Sequence, residues 1–166
     1  MRRILDFFSK DPSKNWVRSS LMQLTFHLAS ASLNGVAIDD PFEKISIFGR
    51  PSNRNPFRQE WFDYPDLGLE IGGENNRIKY FSFMIQAFFK DETACNLTLI
   101  SERGTPLLLT NDTKLEELKK LLGEPFESED FGEEVAYRFK YRHLILEFEF
   151  DETGLLYFEA GLENYV

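Results

Sequence analysis

Two stretches of the chain share one pattern, a short and mainly apolar segment that ends in the triplet Gly-x-Pro. Residues 41–48 run into the triplet at 49–51, and residues 115–122 run into the triplet at 123–125. Glycine adopts the left-handed conformation that ends a helix, and a proline two residues later cannot continue one. The pattern therefore predicts two helices, each stopped at its glycine.

The two helix starts differ in their signals. Before the first, Asp39 and Asp40 can cap free N–H groups, and Pro41 suits the first helical position. Before the second, residues 113–116 fit a capping box. The second helix also carries a clean apolar stripe, formed by Leu115, Leu118, Leu121 and Leu122.

Alternating patterns predict strands between and after the helices. Residues 78–89 are apolar on both faces, which is typical of a strand in the middle of a packed structure. After residue 125, three alternating segments predict a meander, at 135–142, 144–150 and 155–159. An antiparallel pairing of its first two strands would set Arg138 and Lys140 across from glutamates 147 and 149.

Shorter signals predict hairpins and one ambiguous segment. Asn34-Gly35 suits a type I′ turn. Residues 67–71 and 97–109 predict short strands joined by glycine-containing turns. Residues 16–28 fit a helix at first and a strand at the end, and both patterns stay open there.

The order strand, turn, strand, helix, Gly-x-Pro, loop and meander occurs twice, which indicates an internal duplication. The matching positions are Gly35 and Gly104, Gly49 and Gly123, Pro51 and Pro125, Tyr64 and Tyr137, and Ile78 and Leu155. We therefore expect an α+β fold of two tandem helix–antiparallel-meander units that share a sheet. The chain would be a single compact domain, with pseudo-repeats at about 30–90 and 96–162 and an N-terminal extension at 1–29.

These motifs resemble known α+β proteins. The segment LLGEP at 121–125 and the meander after it resemble the small repeat of the beta-lactamase inhibitor protein and the BamE-type outer-membrane lipoproteins. Residues 33–35, 49–51 and 64–70 supply an LNG, GxP and YxxLGLE pattern that is similar to one in bacterial proteins. The resemblance implies a fold that grips other proteins, and it transfers no functional residue to this chain.

Composition narrows the classes of function. The 166 residues carry a formal net charge of −9, which disfavours nucleic acid as a partner because phosphate contacts need a basic face. Residues 1–8 are too short and too polar for a signal peptide, and no stretch reaches the ~20 apolar residues of a membrane span. One cysteine, Cys95, excludes an internal disulfide, and we expect it to be buried. A cytoplasmic location is the prediction.

Catalytic motifs are absent from the sequence. His27 is expected near a strand end and His143 at a hairpin turn, and neither belongs to a recognised metal or nucleophile motif. Glu147 and Glu149 share a strand face that could serve acid–base chemistry, but an ion-pair ladder with the facing bases is favoured. We expect no catalytic residue, metal or cofactor, and no enzyme activity.

Two polar loops remain as candidate contact surfaces. The first follows residue 49, and its candidate binding residues are Arg50, Arg54, Phe57, Arg58, Trp61 and Tyr64. Arginine with tryptophan and tyrosine is typical of an interface hot spot, although such aromatics can instead form a lid on the core. The second loop, 124–134, carries six acids and no base, which suits a basic partner.

The sequence thus predicts a non-enzymatic protein-binding module, of the bacterial immunity or inhibitor class. The partner would be a protein of unknown identity, and oligomeric state is left open. The alternative is a small-ligand binder or enzyme with a pocket lined by some of the 17 phenylalanines.

Overall fold

The structure is a computed structural model, and it describes residues 11–18, 22–87 and 93–166. These ranges hold an α+β fold that is mostly sheet, with few helices. The strands are β1 (Leu24–His27), β2 (Ser32–Leu33), β3 (Val36–Ala37), β4 (Trp61–Tyr64), β5 (Leu69–Glu74), β6 (Arg77–Met84), β7 (Leu97–Ile100), β8 (Pro106–Leu109), β9 (Glu127–Asp130), β10 (Val135–Tyr141), β11 (Leu144–Phe150) and β12 (Leu155–Leu162). The α-helices are α1 (Pro56–Gln59) and α2 (Leu115–Leu122), and 3-10 helices span Pro12–Asn15, Leu28–Ser30 and Phe42–Phe48.

The larger sheet joins two antiparallel meanders. Its described strands have the order β4-β5-β6-β12-β11-β10-β9, so β6 and β12 meet in the interior of the sheet. Strand β6 has Phe81 and Phe83 buried on one face, with Tyr80 and Met84 half-buried on the other. The interior position predicted from its two apolar faces is confirmed over Arg77–Met84, and residues 88 and 89 lie outside the described residues.

The smaller sheet has the order β3-β2-β1-β7-β8 in the described chain. Strand β1 pairs antiparallel with β2 and parallel with β7, and it comes from the stretch that the sequence assigned to an N-terminal extension. Residues 1–10 of that extension lie outside the described residues. The hairpin of β2 and β3 turns at Asn34 and Gly35, both with positive φ, as a type I′ turn requires.

The core lies between these layers and is rich in phenylalanine. Phe26 of β1 meets Phe81, Phe83 and Phe158 of the larger sheet edge to face, with ring centroids 6.0–6.3 Å apart. Phe158 also stacks on Phe148 at 4.6 Å. Such pairs contribute about 0.5–1.5 kcal/mol each beyond the burial of their area.

The second predicted helix is confirmed as α2. Its Leu118 is fully buried, and the other leucines of the stripe pack against the core as half-buried side chains. A carboxylate oxygen of Glu117 accepts the Lys114 N–H at 2.9 Å. The capping box is therefore one residue later than predicted, and the Thr113 hydroxyl instead accepts the Thr110 N–H at 3.0 Å.

The first predicted helix is a 3-10 helix. Its buried residues Phe42, Ile45 and Phe48 are spaced by three, and a 3-10 helix places residues i and i+3 on one line. The expected aspartate cap is wrong, because a carboxylate oxygen of Asp40 accepts the Ala37 N–H of the preceding turn at 2.9 Å. The stop itself is confirmed: Gly49 has φ 83° and ψ −164°, and Gly123 has φ 92° and ψ −164°.

Two other expectations need correction. Residues 16–18 and 22–23 are not helical, although the strand predicted after them is present as β1; residues 19–21 lie outside the described residues. The acidic stretch 124–134 is not a loop throughout, because residues 127–130 form β9 and pair with β10. An all-polar strand gives no alternating signal, so the pattern could not reveal it. No helix in the described ranges has the length and apolarity to span a membrane.

Candidate functional site

The segment that follows Gly49, residues 50–60, is called the arginine loop here, and it is held firmly by the fold. Pro51 and Pro56 are buried. The Asn53 side chain donates to the Trp61 carbonyl at 2.7 Å and accepts the Asp63 N–H at 3.1 Å. These bonds cover the open edge of β4 and leave the loop little conformational freedom.

The three arginines of this loop, Arg50, Arg54 and Arg58, are exposed. The acids that lie near these arginines in the sequence are engaged elsewhere. They are Glu60 with the Asn76 N–H, Asp63 with the Ser52 hydroxyl, and Asp66 with Arg18. In the described part of the chain, none of the three arginines forms an ion pair.

The aromatic candidates are divided between the surface and the core. Strand β4 alternates, so Phe62 and Tyr64 point into the core while Trp61 and Asp63 face outward and are half-buried. Tyr64 is 1% exposed, so the expectation that it could offer a contact surface is wrong. Phe57 is half-buried and packs edge to face on Trp16 and Phe62, which fastens the loop to the core.

A line of polar residues crosses the outer face of the larger sheet, and it is called the carboxylate row here. The strand registers align Glu70, Ser82, Glu159, Glu147, Arg138 and Glu127 side by side, from β5 to β9. The sequence predicted only the pairing of Arg138 with Glu147, and it gave no signal that places the other four residues in line with them. The row needed the order of the strands, which joins β6 to β12 across more than 70 residues.

Hydrogen bonds organise the carboxylates of the row. Glu159 accepts from the Tyr157 hydroxyl at 2.8 Å and from the Ser82 hydroxyl, and Glu70 accepts from the Tyr80 hydroxyl at 2.8 Å. Burial raises the pKa of Glu159 above its ordinary range, against the opposing effect of its two hydrogen bonds. Burial therefore favours the protonated, uncharged form of Glu159.

Glu149 lies beside this row, and the pKa of its carboxyl is strongly shifted. Burial raises its pKa to about 7, and the negative charges of Glu147, Glu134 and Glu159 act in the same direction. Its partner across the strand pair is Ala136, which offers no positive charge.

Arg138 is the basic residue in the carboxylate row. It donates to Glu147, and it lies 3.1 Å from Glu127 and 3.4 Å from Glu129. The predicted pairing of Arg138 with Glu147 is confirmed. The second predicted pairing is wrong, because Lys140 faces Ile145 and reaches Glu163 instead, at 3.5 Å.

Strand β9 forms the far edge of the larger sheet. Its four residues are all exposed, and Phe126 and Phe131, which flank it, are 56% and 58% exposed. The edge therefore carries two exposed aromatic side chains beside a run of acids.

Two cavities open on the described surface. A groove of about 600 Å³ lies between the β7–β8 hairpin, α2 and β10, lined by Ser101, Glu102, Arg103, Thr105, Pro106, Leu107, Glu117, Lys120, Leu121 and Tyr141. A depression of about 210 Å³ lies at one end of the carboxylate row, where Glu70, Ser82 and Tyr157 are among its walls. Phenylalanine lines neither cavity.

The remaining candidates for chemistry are dispersed. His27 is exposed at the end of β1, and His143 is exposed at the turn between β10 and β11, as predicted. Cys95 is buried as predicted, and burial raises the pKa of its thiol to about 12, so it is a poor nucleophile. Within the described ranges, no group of three or more His, Cys, Asp or Glu side chains is arranged to hold a metal ion.

Comparisons with known proteins give one structural likeness. No family model matches the chain, and a search of curated proteins finds no match. Among solved structures, a DUF4309 family protein (YjgB) from Bacillus subtilis subsp. subtilis str. 168 is 13% identical, over 79% of this chain and 84% of that one, with a TM-score of 0.49. A likeness of this size carries no information on function.

Proposed function

We propose that this chain is a non-enzymatic protein-binding module of the inhibitor or immunity class, and that the arginine loop is its contact surface. The observation that carries the proposal is the set of three exposed arginines that have no ion-pair partner among the described residues, on a loop that the fold holds rigid.

Rigidity favours this use of the loop. A segment already fixed in one conformation loses little entropy on binding, so its contacts contribute more to affinity. The guanidinium group presents several donors in a planar fork that matches a carboxylate, and arginine is enriched among the residues that dominate binding energy. Trp61, half-buried on the same edge, adds a large side chain to the surface. The partner would therefore present carboxylates around an apolar centre.

We further propose that the two helix–meander units are a duplication, with the architecture of the beta-lactamase inhibitor protein. The matching backbone angles at Gly49 and Gly123 support it, as does the succession of helix, stop and meander in each half. The meanders β4-β5-β6 and β10-β11-β12 also enter the sheet in opposite orders, as two copies related by a twofold rotation would.

We also propose a cytoplasmic location, which suits a chain with one free, buried thiol.

Capture with a matched control tests the function. The immobilised chain would be incubated with extract of its source cells, and bound proteins identified after crosslinking. Replacing Arg50, Arg54 and Arg58 by Gln should abolish capture of the specific partner. Replacing the exposed Lys14, Lys44 and Lys120 by Gln changes the net charge equally and should leave capture intact. Equal loss in both triple variants would show that only net charge matters, and would contradict the proposal.

A second candidate, a binder of small cationic ligands or an acid–base catalyst, is favoured by one observation. Glu149, with a pKa of about 7, lies beside the row that ends in the 210 Å³ depression. A carboxyl that titrates near neutrality suits general acid–base work. Screening cationic small molecules by NMR would favour this candidate if shifts centred on Glu70, Tyr157 and Glu149.

A further inference from the structure

The two edge strands of the larger sheet, β4 and β9, differ in what covers them. At one end the arginine loop covers β4, with the Ser52 N–H donating to the Asp63 carbonyl at 2.8 Å. At the other end β9 pairs with β10 alone, and no other strand of the described chain lies against it. An uncovered edge strand offers free backbone groups to another extended chain.

The free backbone groups of β9 can be assigned. The Phe131 N–H donates to the Glu134 carbonyl at 2.8 Å, which begins the ladder between β9 and β10. In an antiparallel pair, alternate residues point their N–H and C=O groups toward the partner strand. The backbone N–H and C=O groups of Glu129 therefore point toward β10, whereas those of Ser128 and Asp130 point away from it.

Charge decides which extended chain fits. Residues 124–134 carry six acids and no base, and Arg138, which meets Glu127 and Glu129, is also held by Glu147. A second copy of β9 would place like charges opposite each other, which is unfavourable. A strand with alternating bases would instead neutralise these acids.

The exposed rings supply an apolar contact at the two ends of the same edge. Phe126 precedes β9 and Phe131 follows it, and both keep more than half of their surface in contact with solvent. Together, a free edge, a one-signed charge and two exposed rings define the chemistry of the occupant.

We propose that β9 docks an extended basic segment of a partner protein, which adds to the larger sheet as an eighth strand. This deepens the proposed function and rests on it, since it assigns a second contact surface and the class of segment that it takes. The mode is strand addition, in which backbone bonds give affinity and alternate side chains give specificity.

The test uses a defined probe on the whole chain. The probe is a capped octapeptide of alternating lysine and valine, and its binding is followed by NMR. Two control peptides accompany it: one with glutamate in place of lysine, and one with every backbone nitrogen methylated. The Lys-Val peptide should shift the amide signals of 126–131, while both controls should fail.

Variants of Ser128 separate strand addition from simple charge attraction. Proline removes an N–H that points away from β10, and prolines are tolerated at such edge positions. Because one hydrogen bond is lost, Ser128→Pro should raise the dissociation constant by up to about tenfold, while Ser128→Ala should change it less than about twofold. Thermal melts of both variants confirm that the fold is retained.

Three outcomes would overturn the inference. They are no binding of the Lys-Val peptide, an affinity that is unchanged both for the methylated peptide and in Ser128→Pro, and signal shifts at 126–131 that depend on protein concentration alone, which would assign the edge to a second copy. None of these depends on the arginine loop. The capture experiment with Arg50, Arg54 and Arg58 can therefore succeed when this one fails, and the reverse also holds.

Discussion

The Tyr64 hydroxyl lies in the core and has no hydrogen-bond partner among the described residues. An unsatisfied buried polar group costs about 1–3 kcal/mol. Tyr64→Phe should therefore leave the free energy of unfolding unchanged or raise it by about 1 kcal/mol, as measured by urea denaturation. Tyr64→Ala removes the ring and should lower it by about 3–5 kcal/mol. A clear loss of stability in Tyr64→Phe would show that the hydroxyl has a partner.

Glu149 makes stability depend on pH. Its folded pKa of about 7 lies above its ordinary value of 4.5, so between these values the folded chain holds a proton that the unfolded chain has released. Stability therefore falls as the pH rises through that window, and Glu149→Gln should flatten the fall. Urea denaturation at pH 5 and pH 8 measures this.

The control for that experiment is Glu152→Gln. Glu152 is exposed in the turn between β11 and β12, so its neutralisation should leave the slope as it is in the wild type. If both substitutions have the same effect, overall charge and not the site of Glu149 governs the pH dependence. Glu159 keeps a raised pKa in either variant, so part of the slope should remain.

Two basic residues on strand β10, Arg138 and Lys140, allow a substitution to be compared with a matched control. Arg138 is 22% exposed and holds Glu147, which is 13% exposed, whereas Lys140 and Glu163 are 55% and 70% exposed. Removing the partner of a largely buried carboxylate is costly, while exposed pairs contribute little. Arg138→Gln should lower the free energy of unfolding by about 2 kcal/mol and Lys140→Gln by less than about 0.5 kcal/mol.

The same pair of variants tests how β9 is held. Because Arg138 also contacts Glu127 and Glu129, hydrogen exchange at the Glu129 and Phe131 amides, which point toward β10, should quicken in Arg138→Gln and not in Lys140→Gln. Equal stability losses in the two variants would contradict the role given to Arg138.

The two helix stops provide a second matched pair. Gly49 and Gly123 share a backbone conformation that only glycine adopts easily, so alanine at either should cost about 1–3 kcal/mol of unfolding free energy. A Cβ at Gly49 would also lie 3.0 Å from Arg18, whereas the space around Gly123 is open. Chemical denaturation should therefore show the larger loss for Gly49→Ala, and the reverse order would contradict this account of the stops.

Elements with a strong local signal could be predicted from the sequence. The stripe of α2, the Asn34-Gly35 turn and the apolar faces of β6 are all encoded within a few residues, and each is present. Strand β9 has no apolar side and was predicted as a loop. In the sequence, the 3-10 helix at 42–48 differs from an α-helix only in the three-residue spacing of its apolar positions. Seven residues are too few to distinguish that spacing from the spacing of an α-helix.

The candidate site, too, could be predicted from the sequence only in part. The exposure of the arginines follows from a polar loop with prolines, but the position of Tyr64 depends on the register of β4 in the sheet. The carboxylate row needs the long-range pairing of β6 with β12. Neither feature has a local signal, so neither could be read from the chain alone.

At the scale of the whole molecule, opposite charges lie at opposite edges of one sheet. The arginine loop covers β4 at one edge, and the acids of β9 form the other. Strands in a sheet lie about 4.8 Å apart, so the seven strands separate these surfaces by roughly 29 Å. The net charge of −9 favours solubility and does not by itself select a partner. The two proposed contact surfaces therefore lie far apart, at opposite edges of the same sheet.

The proposed binding of a protein by the arginine loop can be measured through the affinity of Arg54→Ala. With the captured partner in a calorimeter, Arg54→Ala should weaken binding by at least about 2 kcal/mol, roughly thirtyfold, as expected for a residue that dominates an interface. The free energy of unfolding should stay unchanged, because Arg54 is exposed and forms no ion pair in the described chain. Wild-type affinity in Arg54→Ala would show that the arginine loop is not the contact surface.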